Sequence, residues 1–419
     1  MNIKIALLLG FFTLCSMASV AQEIGKIVIG GKSYNQFYQL NFNIYAASNS
    51  ISNKMIFNIL SGGKIDKSLI SANQGRLKSS NIFGYSTDFA ISYKQENRDF
   101  NGLKGIGFQS SFEWHNLMEL NFGKDLFNLF FIGNSSYAGK TVDLSSANYY
   151  NLNYYQIKAG LNKISKNKFS KYGFNVDLNL GNNFDKADFR NSSLFTSAIG
   201  DSISFDGNLG YKYLDTSKIS ISSINGYGVG IDVFYAYENP QLFKITAKIS
   251  NFGFISWTKK SHEFIQKEPI IWQGIEVTNI FKMPDPLMNV TAIDTFNEYL
   301  SSRSFNTKFH TFTPCKMEFE VSKFVVKDKF ELQATFQYQL FSSFRSLFIL
   351  QSNFFIKNIY QISPNISYGG YSAFNVGIDL KYNIKNYGII YFGTKYLSGY
   401  ILQNNFSGFG GFITFTFQL

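Results

Sequence analysis

Hydrophobic and polar residues alternate one by one along most of this chain. Phe243, Ile245, Ala247 and Ile249 interleave with Lys244, Thr246, Lys248 and Ser250. Leu332, Ala334, Phe336, Tyr338 and Leu340 interleave with Gln333, Thr335, Gln337 and Gln339, and Phe374, Val376, Ile378, Leu380 and Tyr382 with Asn375, Gly377, Asp379 and Lys381. Successive strand residues point to opposite faces, so each stretch predicts a β-strand with one apolar and one polar side. The same reading predicts strands over Gln36–Ala46, Asp88–Tyr93, Ile106–Phe112, Met118–Phe122 and Leu126–Phe131. It continues to the last residues, where Ile413, Phe415, Phe417 and Leu419 share one face and Thr414, Thr416 and Gln418 the other. An edge strand of a soluble sheet is usually blunted by charge, whereas this one stops on its apolar register. A two-layer sandwich also alternates, but here the apolar set is large and aromatic and the strands recur at short spacing. At about 10 residues per crossing, the pattern predicts a closed antiparallel transmembrane β-barrel of about 14 strands, within a range of about 12 to 16.

Two stretches break the alternation. Ile51, Met55, Ile56 and Ile59 recur at helical spacing, Gly62 and Gly63 interrupt, and Ile65 to Lys78 is again helix-compatible through Ile65, Leu69, Ile70 and Leu77. A helical unit among strands predicts a plug or hatch over 48–84 inside the lumen, with Gly62, Gly63, Asp66, Asn81 and Gly84 as its candidate residues. A cap on the periplasmic rim is the alternative, because sequence period does not distinguish inside from beside. The second break, 258–307, holds Pro269, Pro284 and Pro286, and a loop of this length is usually functional or disordered. Asp285, Asp294 and Glu298 are its candidate contact residues.

Composition bears on the solvent. Charged residues make up 16% of the chain and aromatics 18%, with 45% hydrophobic and a mean hydropathy of −0.07. Soluble domains carry about 25% charge. Beyond the N-terminal segment no run of apolar residues is long enough for a spanning helix. That N-terminal segment reads as a signal peptide over 1–21: Lys4, an apolar core from Ile5 to Leu14, and Ser19-Val20-Ala21 before the cleavage point. Export through the periplasm to the outer membrane follows. Cys15 then leaves with the signal, and Cys315 alone cannot form an intramolecular disulfide. The net charge of +11 falls by one on cleavage, because Lys4 is the only charged residue removed. The partners it suits are phosphates of outer-membrane lipid and glycolipid; thinly spread lysines argue against nucleic acid.

Local chemistry points away from catalysis and predicts no cofactor and no metal site. The histidines His115, His262 and His310 stand apart, with no motif around them and no paired spacing for a metal. Gly226, Gly228 and Gly230 lead into a strand, not a helix, so a phosphate loop lacks its context; small residues there let a wall bend or another group approach the backbone. Tyr149, Tyr150, Tyr154 and Tyr155 crowd one segment and suit an interfacial aromatic girdle. Lys163, Lys166, Lys168 and Lys171 mark a solvated hairpin turn.

The C-terminal segment, with Phe415, Phe417 and Leu419, resembles the assembly signal that the barrel-assembly machinery reads in bacterial outer-membrane barrels. Ser250-Asn-Phe-Gly-Phe-Ile-Ser-Trp257, Gly62-Gly63-Lys-Ile-Asp66, Asn81-Ile-Phe-Gly84 and Thr313-Pro314 resemble a Bacteroidota-type family of outer-membrane barrels of unknown function. That family is distantly similar to the long-chain fatty-acid channel and to barrel subunits of the type nine secretion and gliding machinery. The resemblance implies location, a barrel and an internal N-terminal segment, and no catalytic residues. The function expected is a non-enzymatic plugged channel for small or hydrophobic molecules. A docking subunit of an envelope complex, with protein partners at its rim, is the alternative.

Overall fold

The computed structural model describes residues 27–29, 32–100, 103–215, 223–239, 243–258, 260–266, 268–273, 303–357, 359–384 and 387–418. The signal peptide, Asp285, Asp294, Glu298 and Leu419 lie outside them. Fourteen antiparallel strands form one closed wall. In chain order they are β1 Gln36–Ser48, β2 Asn81–Phe100, β3 Leu103–Phe122, β4 Asn148–Ile164, β5 Ser170–Thr196, β6 Gly226–Asn239 and β7 Phe243–Trp257. Then follow β8 Cys315–Val326, β9 Phe330–Leu340, β10 Arg345–Ile356, β11 Tyr360–Gly370, β12 Phe374–Ile384, β13 Gly388–Thr394 and β14 Phe409–Phe417. Each pairs with its sequence neighbour, and β14 closes on β1 with Phe415 opposite Leu40 and Phe409 opposite Ala46. Closure removes the unpaired edge that lipid could not solvate. At the seam Gly410 has φ +120°, and a Cβ there would sit 2.1 Å from the Ile44 carbonyl oxygen, so only glycine fits.

The alternation sorts as expected of a wall in lipid. Val176, Phe348 and Leu350 stand 56%, 56% and 57% exposed, while Gln156, Asn179 and Ser363 are fully buried. A soluble protein does the reverse. The apolar set therefore faces outward and the amides and hydroxyls face the lumen. Among the described residues no helix is long and apolar enough to cross a membrane.

The two rims differ. At one, tight turns at 165–169 and 327–329 join neighbouring strands. The other carries the long connections and every labelled helix: α1 Asn53–Ser61, α2 Lys67–Gln74, α3 Lys124–Phe131 and α4 Leu397–Ile401. Above that rim β5 runs past the ring, where Asp185–Thr196 pairs with Ser202–Leu214. That strand pairs in turn with Ser261–Gln266 and Ile270–Gln273 of the second break, which raises the wall on one side.

The first break folds as helices, for local reasons visible in the chain. The Ser52 hydroxyl caps α1, Gly62 ends it at φ +68°, and the Asp66 carboxylate accepts the Leu69 N–H (2.8 Å) to cap α2. That bond holds the Asp66 carboxyl below its ordinary value. Placement departs from the expected plug. Met55, Ile56, Leu69 and Leu77 pack on Ala46, Phe83, Tyr85, Leu120, Phe122 and Phe409. These share strand parity with Leu40, Ile91, Phe108, Phe112 and Phe415, the outward face. Asn53 clamps the segment to the last hairpin, donating to the Gly408 carbonyl and accepting its N–H, each at 2.7 Å. The helical segment is a collar outside the wall, because outward aromatic side chains at the rim offer it an apolar partner that the polar lumen does not.

Two further expectations are revised. Leu126–Phe131 is helix α3, not a strand: its apolar residues also fit a helical face, and Phe127 buries against the collar. Half of the tyrosine cluster leaves the expected girdle: Tyr150 and Tyr154 turn into the lumen, while Tyr155 stacks on Phe112 outside (5.9 Å).

Candidate functional site

The lumen near the helix-bearing rim is filled by two aromatic clusters built from wall and turns. In the first, the turns 341–344 and 371–373 fold inward. Tyr371, fully buried, meets Phe344 edge-on (5.1 Å) and Tyr45 (6.3 Å), with Leu117, Leu347 and Tyr396 around them. Gly84 faces this cluster, where a Cβ would lie 2.4 Å from the Tyr371 ring, so the ring rests on bare backbone. In the second, Trp257 stacks on Phe184 (5.6 Å) beside Phe309, and its ring covers Gly181 and Gly226. Tyr150 packs against both clusters. Of the glycine run noted at 226–230, Gly226 thus lets a ring approach the wall.

One carboxylate holds the first cluster. Glu119 is 2% exposed on the lumen side of β3 and accepts hydrogen bonds from the Tyr371 and Ser342 hydroxyls. It also accepts the Ser343 N–H at 2.8 Å. Asn121 donates to the Ser343 hydroxyl (2.7 Å). Lys395 adds a cation over the Tyr45 and Tyr396 rings at 4.9 and 5.3 Å.

Against the clusters the lumen holds a cavity of about 410 Å³ with a charged lining, reached by Tyr45, Leu117 and Tyr154. A network crosses it from β2 to β7. His115 Nδ1 lies 2.6 Å from Asp88, and its Nε2 3.2 Å from Glu113. Lys158 bridges Glu113 (3.2 Å) and Asp232 (3.1 Å) and donates to Asn251 (2.6 Å). Asp232 further accepts from Asn175 and from the Asn251 N–H. Lys171 pairs with Glu96, and Lys316 with Glu318 (2.8 Å). His115 therefore sits in mid-lumen: Glu113 shares its strand face two residues away, and pairing across strands, invisible in sequence, brings Asp88 to it.

The expected site residues are dispersed. Gly62, Gly63 and Asp66 lie in the collar, and Asn81 bonds at its foot to Lys78 and Phe122 backbone. Gly84 alone of that set faces the lumen. Phe415 and Phe417 lie on the outward face of β14, Phe417 stacked on Tyr38 (5.9 Å). Glu119, Tyr371 and Ser342 were missed, since nothing local marks a turn that folds inward. Among the described residues no cluster of His, Cys, Asp and Glu could hold a metal ion.

Fold and lumen define a membrane-spanning β-barrel with an occluded interior. The chain belongs to a family of unknown function (DUF5723), whose description matches residues 32–394. No curated protein matches it. Among solved structures it is similar to a TodX deltaS2S3 mutant monoaromatic hydrocarbon channel (TM-score 0.47, 9% identity, 97% of this chain and 96% of that one). It is also similar to the Pseudomonas putida toluene transporter TodX (0.43, 8%, 97% and 94%) and to a Pseudomonas aeruginosa FadL homologue (0.43, 7%, 96% and 98%). These scores are too low to carry any functional argument.

Proposed function

We propose that the protein is a non-enzymatic outer-membrane channel, shut at rest, that admits small polar solutes when the inward turns lift. The observation that carries this reading is the pairing of a polar cavity with a removable closure. The cavity wall is charged and amide-rich, while the first of the two clusters that close it rests on turn residues, Phe344 and Tyr371, held by a few hydrogen bonds instead of continuous sheet. A scaffold would gain nothing from a cavity behind a detachable closure. The polar lining favours polar cargo over hydrophobic cargo. Short turns at one rim and long connections at the other orient the helix-bearing rim to the cell exterior.

Swelling of proteoliposomes in small sugars tests this. Phe344→Ala/Tyr371→Ala is expected to swell faster than the unsubstituted protein. Replacing 49–80 by a short turn should leave the barrel shut, because the collar stands outside. A double variant that folds and stays impermeable overturns the channel reading in favour of docking; a collar deletion that opens the barrel restores the plug.

A further inference from the structure

We propose that the lumen cavity is an anion site, taking a small solute that carries a carboxylate or a phosphate, with Lys94 and Lys248 as its cationic contacts. This rests on the channel reading above and names its cargo class. The argument starts from which charges are already spent. Lys158 is held by two carboxylates and an amide, Lys171 by Glu96 and Lys316 by Glu318. Of the carboxylates that line the cavity, Asp88 and Glu113 are held by His115 and Lys158. Asp232 is 3% exposed, Glu320 2% and Glu318 7%, and their neighbours Asn175, Gln333 and Gln337 hydrogen-bond them.

Lys94 and Lys248 differ. Both line the cavity, and among the described residues neither has a carboxylate within ion-pair distance. The Phe37 ring lies 6.0 Å from the Lys94 ammonium, and Glu96 and Glu113 act on it only from beyond ion-pair distance. Lys248 is exposed although its strand position faces the lumen, so the surface it presents is cavity surface. The acids are thus paired or buried, and two cations are left to face the solute. Gln39, Asn41 and Ser92 beside them add neutral hydrogen-bonding groups that carry no counter-charge. A lysine ammonium is a compact point charge that binds carboxylate or phosphate oxygens without demanding a planar fork. Inside walls of low dielectric, one sign of free charge concentrates the opposite ion. Rings of lysine or arginine select anions in pores for this reason.

The test is equilibrium binding of inorganic phosphate and, separately, of citrate to the purified full-length barrel by isothermal titration. Binding is expected in at least one arm, and the arm that responds identifies the headgroup chemistry. Lys94→Gln/Lys248→Gln should weaken it by about tenfold or more. Lys64→Gln/Lys67→Gln in the collar should leave it unchanged. Should the lumen pair disturb folding, Lys248→Glu alone, checked for heat-resistant migration as a folded barrel, must also abolish it. No binding in either arm, or equal binding by wild type and the lumen variants, overturns the anion site. A barrel that swells on removal of the two rings yet binds neither anion keeps the channel and loses the site; binding without passage does the opposite.

Discussion

Glu119→Ala is expected to turn a silent barrel into a conducting one. The carboxylate is buried and receives the Tyr371 hydroxyl, the Ser342 hydroxyl and the Ser343 N–H, and so ties two separate turns to β3. Hydrogen bonds to a charged group are worth about 1.5–3 kcal/mol each, and of the donors left behind the Ser342 hydroxyl keeps Gln339 (3.2 Å) and the Tyr371 hydroxyl (3.3 Å), while the Ser343 N–H loses its acceptor. Losing about 3 kcal/mol from the shut state alone shifts the open-to-shut ratio on the order of 100-fold. Glu119→Gln keeps an acceptor and the volume, so its effect should be smaller. Planar-bilayer recording reads both: frequent openings in the alanine variant are expected, and recordings indistinguishable from wild type would remove Glu119 from the latch.

Lys158→Met should be the most destabilising single change in the wall. Its side chain is 4% exposed and its ammonium lies between Glu113 and Asp232, with His115 and Asp88 extending the chain. Breaking a buried ion pair from one side leaves an uncompensated charge and costs about 3–5 kcal/mol. The pairing itself need not be a large net gain; the penalty lies in what remains unpaired. Asp232→Asn added to Lys158→Met should therefore recover part of the loss, a non-additivity expected of residues in contact. Guanidinium unfolding of the barrel in detergent measures it. A midpoint unchanged by Lys158→Met, or a double variant worse than the sum of its parts, would contradict the network.

Much of this architecture is legible from period alone. The stretches at 243–250, 332–340 and 374–382 sort outward and inward as their alternation requires, since register leaves no freedom once one face is in lipid. Helices α1 and α2 are likewise readable from their spacing, the Gly62 break and the Asp66 cap. What period does not carry is which side of the wall a helix takes. The collar's apolar stripe would pack equally on any apolar surface, and the surface available is Phe83, Leu120 and Phe409 on the outer face. Alternation also misleads where a short segment satisfies both periods, as Leu126–Phe131 does.

The site is less legible, for a physical reason. Glu119 and Ser343 are separated by 224 positions, and Lys158 and Asp232 by 74. Such contacts arise from barrel closure and inward-folded turns, not from local spacing. Only Gly84 among the candidate residues shares the closure, and its part is to be small where Tyr371 needs room.

The conductance of the unsubstituted barrel tests the central claim most directly. The account predicts that wild-type protein, shown by lipid co-flotation to have entered the bilayer, passes no steady current, because Tyr371, Phe344, Tyr150 and Trp257 fill the lumen at one end. A stable ohmic current from wild type on insertion, of the size of an open pore, would contradict it.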